Sequence, residues 1–165
     1  MAMLRPVSIS VLAVDTKSKS PVVVLKEIAG ERTLPVWIGF MEANAIGSEL
    51  EGIKFSRPMT HDLVKDLLVS VDAKVKKIVV HDLKKNTYYA FIHLDYAGKE
   101  IIVDARPSDA LALSLRFKAP IFVEEDVFKK AEHVSFDSEE GDKSEEKKKW
   151  HKILEKMDPD DFGNA

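Results

Sequence analysis

The sequence predicts an α+β fold in which helices pack on a mixed, largely antiparallel sheet. Short segments rich in β-branched residues, joined by polar turns, indicate strands. Segments with apolar residues three to four positions apart indicate helices. The strand segments come in consecutive runs between the helices rather than singly, and this order favours hairpins over parallel βαβ units.

The first half of the chain is predicted to contain three strands and then two helices. The strands cover residues 7–14, 22–25 and 34–38, with polar turns between them. A helix follows over 42–50, and Gly52 is suited to end it. The next helix begins at Thr60, where apolar residues line one face.

The second half repeats part of this order. Strands are predicted at 75–80, 88–94, 101–103 and 120–123, and helices from Ser108 and over 126–131. In both halves a strand, an Ala-Gly turn, a strand and a helix follow one another, with the turns at 29–30 and 97–98. This echo suggests a duplicated strand-strand-helix unit.

Length and charge divide the 165 residues into a domain over 1–135 and an appendage over 136–165, a charged linker with a short helix. The domain has 19 Lys and Arg against 18 Asp and Glu, whereas the appendage has 6 against 10. A nucleic-acid-binding domain usually carries a basic surface. In this protein, a polyanion would therefore have to be bound by a local cluster of cationic side chains or through a metal ion.

Composition also bears on the protein's surroundings. Cysteine is absent, which excludes disulfides and thiolate sites. No apolar run approaches the roughly 18 residues that span a bilayer, and no signal-peptide pattern is present, so we expect a cytoplasmic protein. The charged residues, rich in Lys and Glu, resemble the composition of proteins from hot environments.

Two similar motifs are the main pointers to function, residues 57–62 (RPMTHD) and 104–109 (DARPSD). Each places an Arg-Pro pair before a hydroxyl residue suited to cap a helix, and a carboxylate in the first helical turn. Free N–H groups at helix starts attract anions, and arginine can hold phosphate by two parallel hydrogen bonds. The alternative is structural: a well-capped helix whose arginine pairs with a nearby carboxylate.

Nuclease chemistry requires an activated water, stabilisation of charge on the phosphoryl oxygens and a proton for the leaving group. A histidine, arginines and carboxylates that hold a divalent ion can supply these. The catalytic candidates are His61, Asp62 and Asp104, the phosphate-binding candidates are Arg57 and Arg106, and the candidate ligands for Mg²⁺ or Mn²⁺ are Glu42, Asp104 and Asp109. The spacing of these residues matches no zinc or calcium motif.

Several segments together resemble the bifunctional nuclease domain family. They are residues 34–39, 42–43, 57–63, 88–90 and 104–110, within a match that extends over about 7–131. The resemblance implies a nuclease that acts on both RNA and DNA, with a divalent metal as candidate cofactor. It assigns no catalytic roles.

Three functions remain open from the sequence. The first is metal-assisted hydrolysis of phosphodiester bonds in RNA and DNA, with low sequence specificity. The second is a non-enzymatic module that binds a nucleotide or another anion between the two Arg-Pro helix starts. The third is a homo-oligomeric interaction protein in which those arginines pair with carboxylates across subunits.

Overall fold

The computed structural model describes residues 2–136 together with Lys148, Lys152 and Lys156. Within these residues it confirms the predicted α+β class, with a seven-stranded sheet and four helices. In chain order the elements are β1 (Leu4–Val14), β2 (Pro21–Glu27), β3 (Thr33–Trp37), α1 (Phe40–Leu50), α2 (Thr60–Ser70), β4 (Lys74–Lys84), β5 (Thr87–Tyr96), β6 (Lys99–Ala105), α3 (Pro107–Phe117), β7 (Ile121–Glu124) and α4 (Glu125–Lys130). Apart from Phe136 and the three lysines, the predicted linker and C-terminal helix lie outside the described residues.

The sheet has the strand order β3-β2-β1-β7-β4-β5-β6. Every neighbouring pair is antiparallel except β4 and β7, which are parallel. Two three-stranded meanders therefore flank β7, and a helix follows each meander along the chain. The two Ala-Gly turns occupy equivalent places, between β2 and β3 and between β5 and β6. This arrangement matches the duplicated unit suggested by the sequence.

The core lies between the sheet and the helices α1 and α3. Ile46 of α1 and Leu111 of α3 are fully buried, as are Leu25, Ile78 and Val80 of the sheet. Burying each of these side chains contributes about 1.5–3 kcal/mol. Because α1 and α3 pack against each other as well as on the sheet, their first turns are held rigidly relative to one another.

Helix α2 departs from the predicted pattern. Its apolar residues form a stripe in the sequence, yet none of its residues is fully buried. Val64 and Leu68 pack partly on the core, whereas Leu63 and Leu67 are more than half exposed. None of the helices in the described part of the chain is long and apolar enough to cross a membrane.

Four charged side chains tie β1, β2 and α4 together away from α1 and α3. Arg32 donates to Glu125 at 2.7 Å and to Glu27 at 2.9 Å, and Arg5 donates to Glu125 at 2.6 Å. Hydrogen bonds from Arg32 and Arg5 lower the pKa of Glu125 to about 2. Its carboxylate is therefore ionised across most of the acidic range.

Because of this network, the stability of the protein should fall as the pH is lowered. A carboxylate whose pKa is lower in the folded chain stabilises the fold above its unfolded pKa of about 4.3, and the stabilisation is lost as pH falls toward about 2. We expect Tm, measured by circular dichroism from about pH 6 to about pH 2, to fall less steeply in Glu125→Gln than in the wild type. Parallel curves for the two proteins would show that Glu125 has no such role.

Candidate functional site

The structure brings the two Arg-Pro motifs together. α2 begins beside the first turn of α3, and two ion pairs join the helices. His61 Nε2 lies 2.9 Å from Asp109 Oδ1, and Arg116 Nε donates to Asp62 Oδ1 at 2.7 Å. Side chains of both motifs therefore form one cluster, although they are almost fifty residues apart in sequence.

The capping prediction for these helices is wrong. Thr60 and Ser108 lie inside the helices, and the N-caps are Met59 and Arg106, both extended. Pro107 takes the first position of α3, which suits a residue without an N–H. The carboxylates, in contrast, lie in the first turns as predicted.

Arg106 is the centre of the cluster. Its Nε donates to Asp109 Oδ2 at 2.8 Å and its Nη2 to Glu42 Oε1 at 2.7 Å, which raises the pKa of Arg106. The structural alternative for the second motif is thus confirmed in its ion pairing, an arginine paired with nearby carboxylates, but not in its capping.

Arg106 still has capacity for another partner. The side chain is 65% exposed, and none of its contacts within the described residues uses Nη1. One edge of the guanidinium therefore holds two carboxylates, while the Nη1 group remains able to donate to an anion.

In the His61–Asp109 hydrogen bond, His61 is the donor and Asp109 is the acceptor. Partial burial raises the pKa of Asp109, but hydrogen bonds from Arg106 and His61 outweigh this effect and the pKa is lowered. Asp109 is therefore an ionised acceptor at neutral pH. We assign the proton of neutral His61 to Nε2, which donates to Asp109, and this leaves Nδ1 as a proton acceptor.

Arg116 is the residue that sequence reasoning missed. Its side chain is only 4% exposed, and it donates to Asp62 as well as to the backbone oxygens of Ala45 (3.1 Å) and Ala112 (2.9 Å). It therefore joins α1, α2 and α3 at one point. The available signal is the helical spacing of Asp109, Ala112 and Arg116, which places this one arginine on the face that carries Asp109.

Asp62 has a structural position in this arrangement. Its Oδ2 accepts the backbone N–H of Met59 at 3.0 Å, while Oδ1 accepts from Arg116. Partial burial raises its pKa, but the bonds from Arg116 and Met59 outweigh that effect, so the pKa is lowered. Asp62 thus fixes the start of α2, the turn that carries His61.

A cavity of about 200 Å³ lies beside these ion pairs. Glu42, His61, Arg106 and Asp109 contribute to its walls, as does Asn44 of α1. Asn44 is buried, and its Oδ1 has no hydrogen-bond partner among the described residues. Buried polar atoms are normally paired, so this oxygen is a candidate contact for a bound molecule.

Two predicted site residues lie apart from the cavity walls. Asp104 is exposed on the edge strand β6, and it is absent from the ion pairs of the described residues. Arg57 is likewise exposed before α2 and forms no ion pair with any residue that the structure describes. The roles of both remain predictions, since neither side chain has an ion-pair partner within the described part of the chain.

The carboxylates predicted as metal ligands do not form one donor set. Within the described residues, no three His, Asp or Glu side chains are grouped so that they could hold an ion. Glu42 and Asp109 both accept from Arg106, whose positive charge opposes a cation, and Asp104 lies on another element. This arrangement does not fit a metal ion held by Glu42, Asp104 and Asp109 together.

The fold and site define an α+β domain with a histidine, two carboxylates and an exposed arginine where three helices meet. The chain belongs to the bifunctional nuclease domain family, whose model matches residues 23–135. This confirms the resemblance found in the sequence.

The relatives differ in whether their names state a function and in how much of this chain they match. An uncharacterized protein of Mycobacterium tuberculosis is 37% identical over 156 residues, covering 92% of this chain and 93% of its own length. Bifunctional nuclease 2 of Oryza sativa subsp. japonica is 26% identical over 67% of this chain, and Bifunctional nuclease 2 of Arabidopsis thaliana is 27% identical over 54%. The matches cover 35% and 28% of these plant proteins.

Proposed function

We propose that this protein hydrolyses phosphodiester bonds in RNA and DNA, with low sequence specificity, at the cavity beside His61. The observation that carries the proposal is the His61–Asp109 pair placed next to Arg106, an exposed side chain whose Nη1 makes no contact within the described residues. Membership in the nuclease domain family, and the names of the plant relatives, support the same reaction. A cytoplasmic location, expected from the sequence, belongs to this proposal.

Each side chain of the cluster has a role in this reaction. Asp109 holds the His61 ring, so that Nδ1 can take a proton from the attacking water. As the water oxygen bonds to phosphorus, the P–O bond to the leaving nucleotide oxygen breaks, and that oxygen takes up a proton from the solvent. Arg106 donates through Nη1 to a phosphoryl oxygen and stabilises the negative charge that develops there. Glu42 is a positioning residue, because its hydrogen bond fixes the direction of the Arg106 guanidinium.

Residues near the cavity complete the proposal. Asp62 is assigned to positioning through the start of α2, and Arg57 to a neighbouring phosphate of the strand, which its exposure permits. Dependence on Mg²⁺ or Mn²⁺ is a prediction of the family resemblance. The roles above use only the chain's own side chains, because Glu42, Asp104 and Asp109 do not converge on one point.

The test is hydrolysis of end-labelled single-stranded RNA and DNA by purified protein, with Mg²⁺, Mn²⁺ or a chelator. Arg106→Lys keeps the charge but removes the guanidinium fork, so we expect kcat/KM to fall about tenfold or more. Lys118→Arg, beyond the end of α3, is the matched control and should leave the rate unchanged. Equal rates for Arg106→Lys and the wild type would remove Arg106 from the site.

Anion binding without cleavage is the second candidate, favoured by one observation. Neither α1 nor α3 has a side chain that caps its start, and Arg106, the N-cap of α3, donates to Glu42 in the first turn of α1. A phosphate could bind there without any proton transfer. Saturable binding of inorganic phosphate together with absent hydrolysis in every metal condition would support this function over the nuclease.

Self-association is a further part of the proposal, supported by the edge strand β6. Ile101, Ile102 and Val103 are each more than 40% exposed, and the outer edge of β6 pairs with no strand of the described residues. Exposed apolar edges normally pair or are covered. We expect light scattering to give a mass above the 18.5 kDa of one chain, and Ile102→Lys to lower it.

A further inference from the structure

A second cavity, of about 350 Å³, also has Arg106 in its wall. Its volume falls in the range of small-molecule sites, about 300–1,000 Å³. Arg106 and Ser108 at the start of α3 form one part of the wall, and Trp37, Asn86 and Tyr88 form another. Because Arg106 lines this cavity as well as the one beside His61, a single extended molecule could occupy both.

Tyr88 provides the observation that points to a ligand. The residue is only 8% exposed, and its hydroxyl has no hydrogen-bond partner among the described residues. Burial raises the pKa of Tyr88 to about 12, so the hydroxyl is neutral and can donate. Leaving a buried hydroxyl unpaired is unfavourable, and a bound polar group would supply the missing partner.

Trp37 presents an aromatic surface that is fixed in place. Its Nε1 donates to Asp15 Oδ2 at 3.1 Å, and the same oxygen accepts from Ser18 Oγ at 2.7 Å. The indole orientation is therefore set before any ligand arrives, which reduces the entropy lost on binding. Trp37, Asn86 and Tyr88 also line an adjoining cavity of about 450 Å³, so the aromatic wall is longer than one cavity.

The wall near Arg106 differs in charge from the aromatic wall. Arg106 is the N-cap of α3, and Gly39, the N-cap of α1, lines the same cavity. N–H groups in the first turn of a helix have no partner within the helix and favour anions. The cavity thus combines aromatic and amide side chains with a region suited to a phosphate.

We propose that this second cavity binds a nucleotide, with its base stacked on Trp37, the edge of that base at the Tyr88 hydroxyl and its phosphate at Arg106. Base stacking on aromatic side chains is tolerant of sequence. The hydroxyl of Tyr88 donates to a base edge and restricts how the base is oriented. The role of this cavity as a subsite for the nucleotide next to the cleaved bond rests on the proposed function. Nucleotide binding in the cavity can be tested independently of that function.

The test is calorimetric titration of the full chain with AMP, and with adenosine and inorganic phosphate separately. We expect AMP to bind more tightly than either part, and to change the emission of Trp37 in a Trp150→Phe background, where Trp37 is the single remaining tryptophan. Tyr88→Phe keeps the ring and removes the hydroxyl. It should weaken AMP binding about fivefold, the loss expected for one hydrogen bond.

Tyr89→Phe is the matched control, since Tyr89 is the next residue on β5 and is exposed. Its affinity for AMP should equal that of the wild type. No AMP binding at millimolar concentration would overturn the inference, as would equal affinities for AMP and phosphate or an unchanged affinity in Tyr88→Phe. AMP binding without nuclease activity would refute only the proposed function, and nuclease activity without AMP binding would refute only this inference.

Discussion

Replacing Arg116 with alanine is expected to lower the free energy of unfolding by about 2–4 kcal/mol. The substitution removes the donor to Asp62 and to two backbone oxygens, and it also removes a buried hydrocarbon stem. Asp62 is partly exposed, so water replaces some of what its carboxylate loses. For a chain of this length, Tm should fall by roughly 10 °C.

The measurement is thermal and urea unfolding at neutral pH, with Arg57→Ala as the matched control. Arg57 is exposed and forms no ion pair with the described residues, so its removal should change stability by less than about 0.5 kcal/mol. If Arg116→Ala proved as stable as Arg57→Ala, the three-helix junction would not depend on this arginine.

Replacing His61 with alanine is expected to reduce phosphodiester hydrolysis by about 10²–10⁴-fold, the usual contribution of a positioned general base. The imidazole is the group in the cluster placed to move a proton, while Asp109 is ionised and Arg106 remains protonated. The rate can be followed with a chromogenic phosphodiester, and circular dichroism verifies that the variant is folded.

His93→Ala is the matched control for this experiment. His93 also lies next to a carboxylate, with Nδ1 3.1 Å from Glu100 Oε1, but it is on β5 and does not line the His61 cavity. Its removal should leave the rate unchanged. A comparable loss of activity in both variants would indicate that the substitutions act by destabilising the fold.

Much of the fold could be predicted because its signals are local. Short segments rich in β-branched residues mark the strands, and the first-turn carboxylates Asp62 and Asp109 mark the two helices of the motifs. The last four residues of β4, 81–84, were missed because the irregular pairing after Val80 disturbs the pattern of apolar residues there.

The site was only partly predictable, because its assembly depends on contacts between distant elements. Arg106, Asp109 and His61 were chosen from the motifs, and the structure brings these three together. No local pattern shows that the Arg106 guanidinium donates to Glu42 and Asp109, two of the carboxylates proposed as metal ligands. Nor does one show that the Tyr88 hydroxyl has no partner among the described residues, since its burial arises from packing across the sheet.

The most direct measurement for the central claim is cleavage of end-labelled single-stranded RNA and DNA by wild-type protein and His61→Ala, purified side by side. The account predicts fragments of both nucleic acids from the wild type and a loss of about 10²–10⁴-fold in the folded variant. Equal cleavage by the two proteins, or none by the wild type with Mg²⁺, Mn²⁺ or a chelator, would contradict it.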